Sequence, residues 1–71
     1  MISDRLQKLV DDMVDKGVRF EDALSEFERR FIARVMARSD GRLTKAADAL
    51  NMHRNTLSRK LAEHKIKRRA G

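Results

Sequence analysis

The 71-residue chain has no cysteine, no proline, no tryptophan and no tyrosine, and only three glycines. Without cysteine there is no disulfide staple, no thiolate metal centre and no thiol nucleophile. The two histidines, His53 and His64, have no ligand set around them, so neither a metal nor a cofactor is expected. Nor is any carboxylate or nucleophile arranged with them, and so short a chain has little volume for a pocket, which speaks against an enzyme. The lack of proline and shortage of glycine leave few places to turn, which favours an all-helical chain. The lack of Trp and Tyr removes the exposed stacking platforms on which RNA and single strands are held. No apolar run approaches the ~20 residues of a membrane span. Asp4, Arg5 and Lys8 stand where a signal peptide would have its apolar core.

Charge, by contrast, is plentiful and unevenly placed. Residues 1–40 carry 8 basic and 9 acidic side chains, net −1, whereas residues 41–71 carry 9 basic and 2 acidic, net +7. The whole formal charge of +6 therefore comes from the second part. A basic segment beside a near-neutral one is the electrostatic footprint of a polyanion binder, and it weakens the plain reading of the basic residues as solvated surface.

The basic segment contains the run Thr44–Leu61, TKAADALNMHRNTLSRKL, which reads as two short helices joined by a tight turn. Thr44 is placed to cap the first, over Lys45 to Leu50, by accepting a backbone N–H hydrogen bond. Under two turns long, that helix must lie against something, and Ala46, Ala47 and Ala49 would allow a close approach. Asn51 follows where helices stop in a left-handed residue. The second helix is expected from about Arg54 to His64. Leu57 and Leu61 share its buried face, so Asn55 and Arg59 project away, Thr56 and Ser58 flank them, and Arg54 sits in the first turn. Arg, Asn, Ser and Thr on one outward face suit the edges of base pairs in a major groove. Lys60 and the tail Lys65, Lys67, Arg68 and Arg69 suit phosphates. His53 serves as a cap or a DNA contact, and His64 as a partner of the helix dipole or of a phosphate. The layout is that of a helix-turn-helix, and the expected ligand is double-stranded DNA.

The first 40 residues supply a different pattern. Ser3 can cap a helix running to about Lys16, stopped by Gly17, with Ile2, Leu6, Leu9, Val10, Met13 and Val14 on one face. A second helix is expected from about Phe20 to Ser39, ended by Asp40-Gly41, carrying Phe20, Ala23, Leu24, Phe27, Phe31, Ile32, Val35 and Met36. It lacks a capping side chain, although Glu21 and Asp22 suit the positive end of its dipole. The spacings Asp4–Lys8, Asp12–Lys16 and Glu26–Arg30 read as solvated i, i+4 pairs worth a few tenths of a kcal/mol each. Chains this short rarely bury enough apolar surface alone, and the two helices display more than the small C-terminal unit could cover. A homodimer is therefore expected, its four-helix core made of two copies of the helix pair and its interface built from Leu6, Leu9, Val10, Met13, Phe20, Leu24, Phe27, Phe31 and Val35. For each Phe, a place in the chain's own core remains an equal alternative. One domain results, residues 1–40 for dimerisation and 41–71 for the helix-turn-helix with its basic tail. A two-fold protein presents its recognition helices as a pair, so the target should be an inverted repeat with half-sites about 34 Å apart.

The words Thr44-Lys45-Ala46-Ala47, Leu50-Asn51-Met52-His53-Arg54-Asn55-Thr56-Leu57 and Arg59-Lys60-Leu61, with Phe27-Glu28-Arg29-Arg30-Phe31-Ile32 before them, resemble the bacterial Fis family. The same helix-turn-helix ends the nitrogen-regulatory enhancer-binding activators. The resemblance covers about residues 20–66. It implies that Arg54, Thr56 and Arg59 contact DNA, with Asn55 at the start of the recognition helix. It further implies a transcriptional regulator or nucleoid-associated protein of the cytoplasm whose dimer bends DNA, so that uncontacted base pairs contribute to specificity. RNA polymerase and other regulators are the further partners it suggests. The sequence departs from the family at Asn51, where Gly is usual, and at His53, where many members have Asn or Ser. It also has no room for the flexible arm with which the family's founding protein serves recombinases, so recombination enhancement is not expected.

Three other readings have distinct signatures. Met1 favours a freestanding protein, but an excised C-terminal domain of a larger activator would have an ATPase domain and a phosphorylated receiver as partners. A helical adaptor docking onto another protein, without DNA binding, would show no salt-dependent affinity for duplex DNA. A membrane-surface binder would use Ile66 within Lys65–Arg69 against anionic lipid.

Overall fold

Why α1, Ile2–Asp15, ends where it does is written in its last turn. Lys16 leaves the helix, Gly17 takes φ +71°, and the amides of Gly17 and Val18 turn back to the carbonyls of Val14 (3.1 Å) and Met13 (3.0 Å). This paired closure satisfies carbonyls that a helix end leaves open, and it needs a left-handed residue at its centre. The computed structural model, which describes residues 1–66, repeats the device at every helix end. α2, Phe20–Arg38, closes with Asp40 at φ 56° and Gly41 bonded to Met36 at 2.9 Å. α3, Leu43–Ala49, closes with Asn51 at φ 54° and Met52 bonded to Ala47 at 3.0 Å. α4, Arg54–Glu63, closes with Lys65 at φ 56° and Ile66 bonded to Leu61 at 2.8 Å. The described residues are thus all-α with four helices, as the sequence indicates.

Two expected caps are not used. Ser3 lies inside α1, whose N-cap is Met1, and it makes no capping hydrogen bond. Thr44 is the second residue of α3, whose N-cap is Arg42 in an extended conformation. In the second case Leu43 packs against the core, and this burial draws the helix start back by two residues. α2 starts, as expected, without a capping side chain, and Arg19 instead reaches Asp22 in the first turn at 3.1 Å.

The core is small and belongs to the last three helices. Ile32 and Met36 of α2, Ala46 and Ala47 of α3, and Leu57 and Leu61 of α4 are buried, with Val35, Leu43, Leu50, Met52 and Ile66 packed around them. The alanines admit the close approach of α3 to its neighbours, but Ala49 is exposed and takes no part. Val35, expected at a dimer interface, is drawn into this intrachain cluster. Ile66, partly buried, also packs against it.

α1 buries nothing. Leu6, Leu9, Val10, Phe20, Leu24, Phe27 and Phe31 stay exposed, the last three by about half of their surface, and Met13 is half-buried. Phe27 and Phe31 stack obliquely, ring centres 5.6 Å apart. The radius of gyration is 13.9 Å; a compact chain of this length would have about 11 Å. Among the described residues no helix is long and apolar enough to cross a membrane.

Candidate nucleic-acid interface

α3 and α4 form the helix-turn-helix, and its geometry follows from two buried leucines. Leu57 is fully buried and Leu61 nearly so, one turn apart on α4, and they fix which side of that helix meets α2 and α3. The opposite side is left to solvent. Arg54, Asn55 and Arg59 are exposed, and Thr56 and Ser58 are half-buried on the flanks. Ser58 is not idle, since it already has an interaction within the chain. The spacing of the leucines was sufficient to place these five side chains.

His53 sets the start of α4. Its backbone is extended, φ −69° and ψ 142°, and its Nδ1 accepts a hydrogen bond from the backbone N–H of Asn55 at 3.0 Å. The ring thereby serves as the N-cap, satisfying one of the amides that a helix start leaves open. In the neutral ring, accepting at Nδ1 leaves the proton on Nε2. In α3, Thr44 and Lys45 are exposed in the first turn.

Lys60 has a different environment from the one expected of a phosphate contact. Its Nζ lies 2.8 Å from Oε1 of Glu28 on α2, and the side chain is only 28% exposed. His64, the residue that caps the C-terminal end of α4, meets the same oxygen through Nε2 at 3.1 Å with its side chain 6% exposed. The Lys60 ammonium, and after it the His64 ring, hold the Glu28 carboxyl below the usual carboxylate range. The carboxylate therefore stays charged to lower pH than an unpaired one.

Glu28 is the residue that reading the sequence missed. A signal was present: Glu28 precedes Ile32 by one turn on the face that continues to Met36, and a carboxylate on a core-facing stripe requires a partner. Lys60 and His64, one turn apart beside the leucine stripe, were the matching cations. By comparison, Glu26 binds Arg29 at 2.6 Å and Arg30 at 2.8 Å along its own exposed helix surface, so the Glu26–Arg30 spacing does form a pair. Asp4 lies instead 3.8 Å from the N-terminal ammonium.

Lys65 is exposed just beyond α4, in the left-handed conformation of the closing turn. The expected tail contacts Lys67, Arg68 and Arg69 lie outside the described residues. The structure thus brings Arg54, Asn55, Thr56, Ser58 and Arg59 onto one side of α4, keeps His53 at its start, and turns Lys60 and His64 toward α2.

Against the models of known families, residues 23–64 match that of "Bacterial regulatory protein, Fis family", from the first turns of α2 to the end of α4. No curated protein and no solved structure matches the chain.

Proposed function

Because the chain belongs to the Fis family of bacterial regulatory proteins, whose helix-turn-helix binds DNA, we propose that it is a homodimeric regulator reading inverted repeats in duplex DNA. The observation that carries this reading is the outward face of α4. Arg54, Asn55 and Arg59 stand exposed opposite Leu57 and Leu61, on a helix braced by α3. Arg54 and Arg59 are the candidates for bidentate bonds to guanine, and Asn55 for adenine. Thr56 and Ser58 contact base edges or sugar from the flanks, and Thr44, Lys45 and His53 approach the backbone beside them. The tail Lys65, Lys67, Arg68 and Arg69 adds phosphate contacts, which supply affinity without sequence preference.

The homodimer is supported by surface. The chain exposes 6154 Å², where a folded monomer of its 8.2 kDa would expose about 4500 Å². The excess includes the apolar faces of α1 and α2, and a second copy covers them with the same residues by two-fold symmetry. Paired recognition helices then require paired half-sites, and a bend in the DNA would add indirect readout at the centre.

Selection of bound sites from a random duplex pool tests the reading directly, with permuted-site gel shifts to detect bending. An inverted repeat is the expected product. On that site Arg54→Ala and Arg59→Ala should each weaken binding by about 1–3 kcal/mol, with relaxed preference at one base pair per half-site. Equal losses on every sequence would demote both to backbone contacts. A pool that returns no enriched motif would rule out sequence-specific reading.

A further inference from the structure

We propose that Glu28 is a specificity-determining residue of the interface: it holds α4 at one rotation on α2 and withholds the Lys60 ammonium from the DNA backbone. The inference rests on the duplex-binding reading above and adds to it a residue that faces no DNA.

Much of what seats α4 is the apolar cluster. Leu57 and Leu61 against Ile32, Met36 and the alanines of α3 fix how near the helix lies and which side it turns inward, but apolar burial is non-directional and does not by itself set the finer angle. A carboxylate is directional. Glu28 presents one oxygen, Oε1, to Lys60 at 2.8 Å and to His64 at 3.1 Å, two residues one helical turn apart on the same side of the leucine stripe. Both grips are at the C-terminal end of α4, where His64 is almost enclosed. The far end, with His53, Arg54 and Asn55, is thereby aimed without being covered. Turning α4 about its axis would pull Lys60 and His64 from the shared oxygen while swinging Asn55 and Arg59 across the base edges they face. The carboxylate links the angle of the reading face to α2, the helix that also carries the exposed apolar face.

The second consequence is electrostatic. Lys60 adjoins Arg59, and a free ammonium there would be attracted to any phosphate, raising affinity for all sequences alike. Paired with Glu28 it contributes nothing to that pool. Arg59 remains exposed and Lys60 does not, so neighbouring cations are given different tasks.

The test compares the full chain with Glu28→Gln, Lys60→Met and the double variant. Affinities are measured across a salt series on a selected site and on unrelated duplex. Gln keeps the size of the side chain and an acceptor oxygen but removes the charge. Glu28→Gln should lower the ratio of selected to unrelated affinity roughly tenfold, the scale of one lost charged hydrogen bond. It should also steepen the salt dependence on unrelated duplex by about 0.9 for each ammonium that reaches a phosphate. Lys60→Met should leave the wild-type salt dependence unchanged and, combined with Glu28→Gln, restore it. A fall in both affinities by the same factor at constant salt slope would reduce Glu28 to a fold-stabilising residue and overturn the proposal. So would a flatter slope for Lys60→Met alone, which would put Lys60 on phosphate already. Failure of the wild-type chain to bind any duplex would be distinct, since it removes the duplex-binding premise itself.

Discussion

At the scale of single residues, the interface depends on how a histidine starts a helix. Histidine is an uncommon N-cap, because Ser, Thr, Asp and Asn reach the N2 and N3 amides with a short side chain and lose little freedom in doing so. Here the imidazole Nδ1 performs that task for Asn55, next to Arg54, which is proposed to contact the DNA. His53→Ala should remove the bond and destabilise the fold by about 1 kcal/mol, whereas His53→Ser should keep the stability, as read by thermal unfolding. If His53→Ala unfolds at the wild-type midpoint, the ring has no capping role, and any loss of DNA affinity would have to come from a direct contact. The sequence offered His53 as either a cap or a DNA contact. It could not decide, because the choice depends on a backbone turn of φ −69° and ψ 142° that neighbouring residues set.

At the scale of elements, the four helix ends use one closure with four different residues at its left-handed centre: Gly17, Asp40, Asn51 and Lys65. For a side-chain-bearing residue that conformation costs about 1–2 kcal/mol, least for Asn and Asp, and for Gly almost nothing. Opposite changes at equivalent places should therefore have opposite signs. Gly17→Ala should lower stability by about 1 kcal/mol although nothing lies within 4 Å of the added carbon, the penalty coming from φ alone. Lys65→Gly should raise it by up to about 1 kcal/mol. Thermal unfolding midpoints of the two variants check this, and a lower midpoint for Lys65→Gly would show that the lysine side chain makes a compensating contact. Gly17, the Asp40-Gly41 pair and Asn51 were readable stops because their types announce them. Lys65 was not, since a lysine in this role is imposed by the packing of Ile66 behind it.

The helices themselves were legible to within a residue or two, and their faces less so. The apolar residues of α2 read as one set in sequence, but in the fold they separate into two. Ile32, Met36 and Val35 turn toward α3 and α4, while Phe20, Leu24, Phe27 and Phe31 turn away. Hydrophobic spacing reports that a face is apolar and not what covers it. The same limit hid Glu28, which sits on the inward face and is satisfied by residues more than thirty positions away. The start of α3 was misplaced at Thr44 because a good cap in the sequence was outweighed by the burial of Leu43.

At the scale of the whole molecule, the chain has one small core and one large uncovered apolar surface. Among the described residues, six buried apolar side chains, two of them alanine, hold α2, α3 and α4 together, and α1 contributes none. Completing the burial of Leu24, Phe27 and Phe31, each about half exposed, would add about 1 kcal/mol or more per side chain. That stabilisation is available only through association, so it should depend on concentration. The unfolding midpoint of the wild-type chain should rise as the protein is concentrated, and sedimentation at micromolar concentration should give the mass of two chains. Phe31→Asp places a charge on this exposed surface and leaves the six buried apolar residues unchanged. It should abolish the concentration dependence and yield the mass of one chain. A wild-type chain that sediments as a folded monomer at hundreds of micromolar, with a midpoint independent of dilution, would overturn the dimer. The paired half-sites would then lose their structural reason, because a single recognition helix has no symmetry to impose on the DNA.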